Sequence, residues 1–170
     1  NTTETLTGIL DLTGKTVFTK NNAVQSGGAI YNSGELKSDY QVSFSSNSAK
    51  NGGAIFNAGN ITLESGSFSG NKAIGIITTR KETFDKKDYE LPDIDGGNGG
   101  AIYNADKGIL KISSKEYKSG KRTLISKPTF SGNVGVKGGA IFNEGSLDIT
   151  SAIFKSNKVT APSQTTVVGK

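Results

Sequence analysis

The hexapeptide Gly-Gly-Ala-Ile-(Tyr/Phe)-Asn occurs four times in this chain of 170 residues, beginning at Gly27, Gly52, Gly99 and Gly138. A second motif, Phe-x-x-Asn, alternates with it and occurs five times, at Phe18, Phe44, Phe68, Phe130 and Phe154. A unit repeated at this scale cannot bury an apolar face alone, so its copies must stack on one another. The interval is 25 residues from Gly27 to Gly52, and 24 from Phe44 to Phe68 and from Phe130 to Phe154. Two hexapeptide intervals are longer, 47 residues from Gly52 to Gly99 and 39 from Gly99 to Gly138. Subtracting one repeat leaves insertions of about 22 and about 14 residues, placed at about 75–98 and 111–127.

Within a repeat the apolar residues recur with period two. Leu10-Asp11-Leu12, Ile61-Thr62-Leu63, Leu110-Lys111-Ile112 and Leu147-Asp148-Ile149 each read apolar, polar, apolar, which is strand alternation. The pattern predicts three short strands per repeat: one with Ala-Ile-aromatic, one with Leu-x-Ile and one with the Phe. Gly, Asn and Ser supply the turns between them. Three short strands in about 24 residues fit one rung of a parallel β-helix, an all-β solenoid of about five rungs with two inserted loops. Rungs stack at about 4.8 Å, so equivalent residues form columns. Asn32, Asn57, Asn104 and Asn143 then line one corner, and Asn21, Asn47, Asn71, Asn133 and Asn157 another. The five Phe form an interior stack. The polar residue of the Leu-x-Ile strand reads Asp11, Lys37, Thr62, Lys111, Asp148, which sets opposite charges beside each other at both ends of the column. Two facings of the hexapeptide remain open. Either Ile30, Ile55, Ile102 and Ile141 point inward with Tyr31, Phe56, Tyr103 and Phe142 outward, or the reverse. The Tyr/Phe alternation favours a ring whose tip reaches water.

Composition excludes several kinds of chemistry. The chain has no Cys, His, Met or Trp, which removes the commonest general base, thiolate nucleophiles and disulfides. No apolar run approaches the roughly 18 residues that a membrane span needs. The first residues carry no basic and apolar leader pattern, so the chain is expected to be either cytosolic or a mature or excised piece of a longer protein, and the missing initiator Met favours the piece. Enzymes built on β-helices need paired carboxylates, or Ca²⁺ with a basic residue, on one face. The acids here are spread thinly along the columns, so no catalytic residue, metal or cofactor is expected. Asp93-Ile94-Asp95-Gly96-Gly97-Asn98 has the look of a Ca²⁺ loop but lacks the ligand number and the terminal Glu of one.

The paired motifs Gly-Gly-Ala-Ile and Phe-x-x-Asn resemble the repeats of the polymorphic membrane proteins of chlamydiae, and more broadly those of autotransporter-type β-helical adhesins of Gram-negative bacteria. The four hexapeptides and five Phe-x-x-Asn motifs that carry the resemblance cover nearly the whole chain outside the insertions. The resemblance implies a right-handed parallel β-helix in the passenger region of a surface-exposed, outer-membrane or secreted protein. It implies adhesion or self-assembly as the role, with host-cell or bacterial surface proteins or glycans as partners.

On that scaffold the insertions are where recognition is expected, because loops on a rigid frame carry specificity. The first insertion mixes charges of both signs with Phe84, Tyr89 and Leu91, the candidate anchors; the plainer reading is a solvated loop. The second holds Lys111, Lys115, Lys118, Lys121, Arg122 and Lys127 against one acid, Glu116, a local charge of +5. Of these, Lys115, Lys118, Lys121 and Arg122 are candidates for an anionic partner, or else serve solubility. Aromatic and base-reading features are too thin for nucleic acid. The competing reading is a structural spacer or self-assembling segment, a homo-oligomer through solenoid ends or edges, with residues 1–7 and 160–170 either capping the solenoid or leading into further rungs. A polysaccharide-acting enzyme is the remaining alternative.

Overall fold

The computed structural model describes residues 8–38 and 41–163. Among them there is no helix, and short strands stack in register as parallel sheets, one strand from each rung. The Leu-x-Ile sheet contains Ile9–Leu12, Glu35–Ser38, Asn60–Leu63, Ile109–Ile112 and Ser146–Ile149. The Phe sheet contains Val17–Thr19, Ser43–Ser45, Ser67–Ser69, Thr129–Ser131 and Ile153–Lys155. The hexapeptide sheet contains Ile30–Asn32, Ile55–Asn57, Ile102–Asn104 and Ile141–Asn143. The solenoid expected from the repeats is therefore present, with the expected register. Phe18 pairs with Phe44, Phe44 with Phe68, Phe68 with Phe130 and Phe130 with Phe154.

A rung holds four strands rather than three. The fourth sheet is built from Ser48–Ala49, Lys72–Ala73, Val134–Gly135 and Lys158–Val159. Two residues are too few to display a period, and the inward positions are small, with Ala49 and Ala73 fully buried. Around the rung the order is hexapeptide strand, Leu-x-Ile strand, Phe strand, short strand.

The interior is a set of columns. Phe44, Phe68 and Phe130 are fully buried, and the five Phe rings stack with centroids 4.7–4.9 Å apart and planes within 10°. That spacing is the distance between parallel strands, so the ring stack and the backbone ladder share one period. Leu36, Ile61, Leu63, Leu110 and Ile112 fill the side next to them. The hexapeptide faces Ile inward: Ile55 and Ile102 are fully buried, whereas Tyr31 is exposed and Phe56, Tyr103 and Phe142 are partly so. Each Gly of the pair has its own reason. Gly52 turns the chain at φ +63°, and a Cβ on Gly53 would lie 2.1 Å from the carbonyl oxygen of Gly100 in the next rung, far inside contact distance.

The two Asn columns close the corners on either side of these sheets. In the Phe-x-x-Asn corner, Nδ2 of Asn21, Asn47, Asn71 and Asn133 donates to Oδ1 of the next Asn at 2.9–3.0 Å. The backbone N–H of the same four residues donates to the same oxygens at 3.0 Å. The second Nδ2 proton goes back one rung to the carbonyl of the preceding Phe, as from Asn71 to Phe44 at 3.0 Å. Each buried amide between its neighbours thus accepts two hydrogen bonds and donates two. The residue before the Asn has positive φ in every copy, at Lys20, Ser46, Gly70, Gly132 and Ser156, and this left-handed step turns the Asn inward. In the second corner Asn32, Asn57, Asn104 and Asn143 are joined by Nδ2-to-Oδ1 bonds of 2.6–2.7 Å.

Outside the core, Asp11 pairs with Lys37 and Lys111 with Asp148 in the ladder, as the charge column requires. Lys37 Nζ lies 3.0 Å from Glu35 two residues back on its own strand.

Removing one link from a saturated ladder leaves buried groups unpaired, at about 1–3 kcal/mol each. Asn71→Ala strands Asn47 and the Phe44 carbonyl and should lower unfolding free energy by about 3 kcal/mol. Asn22→Ala, which loses one exposed bond from Ser48, should change it by less than about 0.5 kcal/mol. Equilibrium urea denaturation measures both. By the same assay Phe68→Ala should cost about 3–5 kcal/mol, and Phe154→Ala, on a half-exposed ring of the last rung, far less.

Candidate functional site

The two insertions leave the rungs at particular corners. The first departs between the short strand of the third rung and the next hexapeptide, and the second between the Leu-x-Ile and Phe strands of the fourth rung. Neither interrupts an Asn corner. The other two corners, which carry no continuous asparagine ladder, are the ones that tolerate added chain.

Both insertions are antiparallel β-hairpins and not irregular loops. In the first, Gly75–Phe84 pairs along its whole length with Lys87–Gly96. Asp85 and Lys86 form the turn with φ of 47° and 60°, the type I′ geometry that matches strand twist. β-Branched Ile76, Ile77, Thr78 and Thr79 start the outgoing strand and suit a pleated ribbon. Its base is tied to the solenoid: Gly97 N–H donates to the Lys50 carbonyl at 2.8 Å, and Lys50 Nζ is 2.5 Å from Asp95.

Cross-strand register decides which side chains share a face. Phe84 lies opposite Lys87, Glu82 opposite Tyr89 and Arg80 opposite Leu91. Phe84, Tyr89 and Leu91 therefore sit on the same face of the ribbon, together with Arg80 and Glu82, which are paired at 3.1 Å. Phe84 is 77 % exposed and Tyr89 49 % exposed. The same face continues down to Ile76 and Asp95, which line a cleft of about 490 Å³ with Val24, Ile74 and Lys50. Sequence reasoning singled out Phe84, Tyr89 and Leu91, which the ribbon brings onto one face, and did not single out Ile76, Arg80 or Val24. The usable signal was the Ile-Ile-Thr-Thr run with Asp85-Lys86 as its turn.

The second hairpin pairs Lys115–Ser119 with Arg122–Ser126 about a Gly120-Lys121 turn. The sequence-derived bounds, 111–127, include Lys111 and Ile112, which the structure places in the rung ladder. The basic candidates do not converge. Lys115 and Arg122 lie on one face, Lys118 on the other and Lys121 in the turn. Lys115 Nζ is 3.4 Å from Glu64, and the base is fastened by a 2.7 Å bond between the hydroxyls of Ser65 and Ser126. Leu124 and Ile125 are exposed on this hairpin, and sequence reasoning did not single them out.

The outward aromatic column packs ring against ring. Tyr31 and Phe56 are stacked at 4.8 Å, Phe56 and Tyr103 meet edge to face at 5.0 Å, and Tyr103 and Phe142 are tilted at 5.6 Å. A sugar ring stacks on a free aromatic face, and here Phe56 and Tyr103 have a neighbouring ring on either side, whereas Tyr31 and Phe142 at the ends of the column have one on a single side. Tyr103 donates its hydroxyl proton to Glu144. Burial, then the hydrogen bond and negative charge of Glu144, with Asp106 adding to them, push its phenol from the ordinary 10 up to about 12. In the Asp93-to-Asn98 stretch, Asp95 is held by Lys50 and Asn98 Nδ2 donates to Asn51. Among the described residues no three Asp or Glu side chains gather as a metal site.

A family model, the Chlamydia polymorphic membrane protein repeat, matches residues 15–33, 41–58, 65–105 and 129–144. No curated protein and no solved structure matches the chain.

The Tyr103 pair yields a pH prediction. Its folded pKa lies above the unfolded value near 10, so its contribution to stability is fully present below pH 10 and is lost as pH rises toward 12. Carbon-13 tyrosine NMR should place one phenol near 12, and Glu144→Gln should move that titration down toward 10.

Proposed function

Because the chain belongs to the Chlamydia polymorphic membrane protein repeat family, a family of surface and outer-membrane proteins, we propose that it is an adhesin passenger segment. It binds a host-cell or neighbouring-cell surface partner through the first hairpin, with the β-solenoid as a rigid support. The observation that carries this reading is the single ribbon face bearing Phe84 and Tyr89, both exposed, with Leu91 partly buried beside them. Exposed aromatic anchors on a fixed frame are what a protein interface uses for most of its binding energy. Their company of Arg80, Glu82 and Lys87 gives that face a mixed polar rim, and this favours a protein partner over a glycan. No helix among the described residues is long and apolar enough to cross a membrane.

The spacer reading draws on a different observation. Ile9 and Val17 in the first rung, and Phe154 and Val159 in the last, are exposed, and they suit contact with further rungs of a longer passenger or with another copy. The expected closure of the solenoid by residues 1–7 lies outside the described residues, as does most of the 160–170 tail.

Replacing residues 76–95 with a two-residue turn tests the adhesin reading. Beads coated with the intact protein should adhere to epithelial cells at least tenfold better than beads coated with the shortened one. Circular dichroism should give the two proteins melting temperatures within a few degrees of each other. Equal adhesion by both would remove the hairpin as the binding element, and adhesion by neither would favour the spacer.

A further inference from the structure

The first hairpin leaves the solenoid through a neck of glycines. Gly75 opens the outgoing strand, Gly96 closes the returning strand directly opposite it, and Gly97 follows. Gly96 and Gly97 have φ of 80° and 78°, a conformation glycine adopts at no steric cost. The neck is also too tight for side chains. A Cβ on Gly75 would lie 2.8 Å from Cγ2 of Val136, and one on Gly97 2.5 Å from Cβ of the same residue. Hinges are made from such residues at the ends of elements, where φ and ψ can change. A two-stranded ribbon, marginal by itself, needs support from outside.

Two stays hold this neck, one on each edge. On the returning side, Gly97 donates its N–H to the Lys50 carbonyl at 2.8 Å, and Lys50 Nζ reaches Asp95. Lys50 cannot withdraw, because Ala49 before it and Asn51 after it are paired into neighbouring rungs. On the outgoing side the stay is Ser163. Its N–H donates to the Gly75 carbonyl at 2.9 Å, and the Ile77 N–H donates to its carbonyl at 3.2 Å. It thus lies beside Ile76 as one residue of a parallel strand. Ser163 stands beyond the ladders. The preceding tie to a rung is the Thr160 N–H on the Gly135 carbonyl at 2.9 Å, and among the described residues Ala161 and Pro162 make no backbone hydrogen bond. Pro162 has a fixed φ and favours an extended Ala161, which stiffens the span from the last rung to the hairpin.

We propose that residues 161–163 are a strap that fixes the direction of the first hairpin, and that the hairpin engages its partner in the strapped position. Phe84 and Tyr89 sit on the ribbon, whereas Val24 and Lys50, which line the cleft at its foot, belong to the rungs. The angle between ribbon and rungs therefore decides whether a partner meets both surfaces at once. With the strap in place the ribbon is held on both edges. With it released, the glycine neck is restrained on the Lys50 edge alone and the ribbon samples a range of angles. The binding-competent angle is then a fraction of the population, and apparent affinity falls by that fraction. This rests on the hairpin as the adhesive element and adds what holds it ready.

The chain has no Cys, so two introduced cysteines can carry spin labels, one on the ribbon at Glu90→Cys and one on a rung at Asn60→Cys, both exposed positions. The full chain so labelled should give one narrow distance distribution by pulsed electron resonance. Ser163→Pro, which removes the donor to Gly75, should broaden it severalfold and speed amide exchange at Ile77 by about tenfold. Pro162→Gly, which slackens the span and keeps both bonds possible, should give an intermediate width. Neither position lies in a rung, so melting temperatures should stay within about 2 °C of the parent. Adhesion of coated beads to epithelial cells should fall in the order in which the widths rise. A broad distribution in the parent chain, or a width and an Ile77 exchange rate unchanged by Ser163→Pro, would overturn the strap. Full adhesion by a variant whose distribution has broadened would overturn the link to binding and leave the adhesin reading intact. If the parent chain does not adhere, the adhesin reading fails, and the distance widths still decide the strap.

Discussion

The fold depends on buried asparagine amides stacked one per rung. A carboxamide has two donors and two acceptor sites, and in the Phe-x-x-Asn corner the inner amides use all four. Oδ1 accepts from the side chain and backbone of the Asn before it, and Nδ2 donates to the next Asn and to a Phe carbonyl one rung back. Asp would bring a charge and lose the donors, Ser is too short, and Gln would displace the turn. The spacing within the motif follows from this. Phe supplies the buried ring and the carbonyl, the residue before Asn supplies the left-handed step, and Asn closes the column. A slip of one residue between rungs would break the ring stack and the amide ladder together, so register is set twice over.

That constraint divides the rung into fixed and permissive corners. The two Asn corners alternate with two corners that have no continuous amide ladder, and each hairpin grows from one of the latter. A chain inserted at an Asn corner would separate stacked amides and leave buried groups unpaired. One inserted at the other corners displaces solvent-facing turns. The scaffold can therefore change its projections without changing its core, and the projections carry the exposed aromatic and basic residues. What departs from the repeat is free to vary in a way that the rungs are not.

Much of the rung was legible in the sequence, because stacking forces equivalent residues into columns that a period exposes. The Phe stack, both Asn columns and the pairs Asp11–Lys37 and Lys111–Asp148 could all be placed from spacing. The short strand at Ser48–Ala49 and its equivalents escaped notice because two residues carry no alternation. The hexapeptide facing stayed open because Ala, Ile and the aromatic are all apolar, and only burial separates Ile55 from Phe56. The insertions were legible as interruptions but not as ribbons. Phe84, Tyr89 and Leu91 share a face through cross-strand register, which the Asp85-Lys86 turn sets. The same rule separates Lys115 from Lys118, so a local excess of positive charge is not a basic surface.

Amide hydrogen exchange followed residue by residue tests the central claim most directly. The N–H groups of Asn47, Asn71 and Asn133 donate to side-chain oxygens at a turn, where backbone protection is ordinarily poor. If the ladders hold the solenoid together, these amides exchange only through global unfolding, as slowly as those of Phe44 and Phe68. The amides of Thr79, Lys81 and Thr83, which face outward from the first hairpin, would then exchange roughly a thousandfold faster. Corner amides that exchange as fast as those of the hairpins would contradict the account.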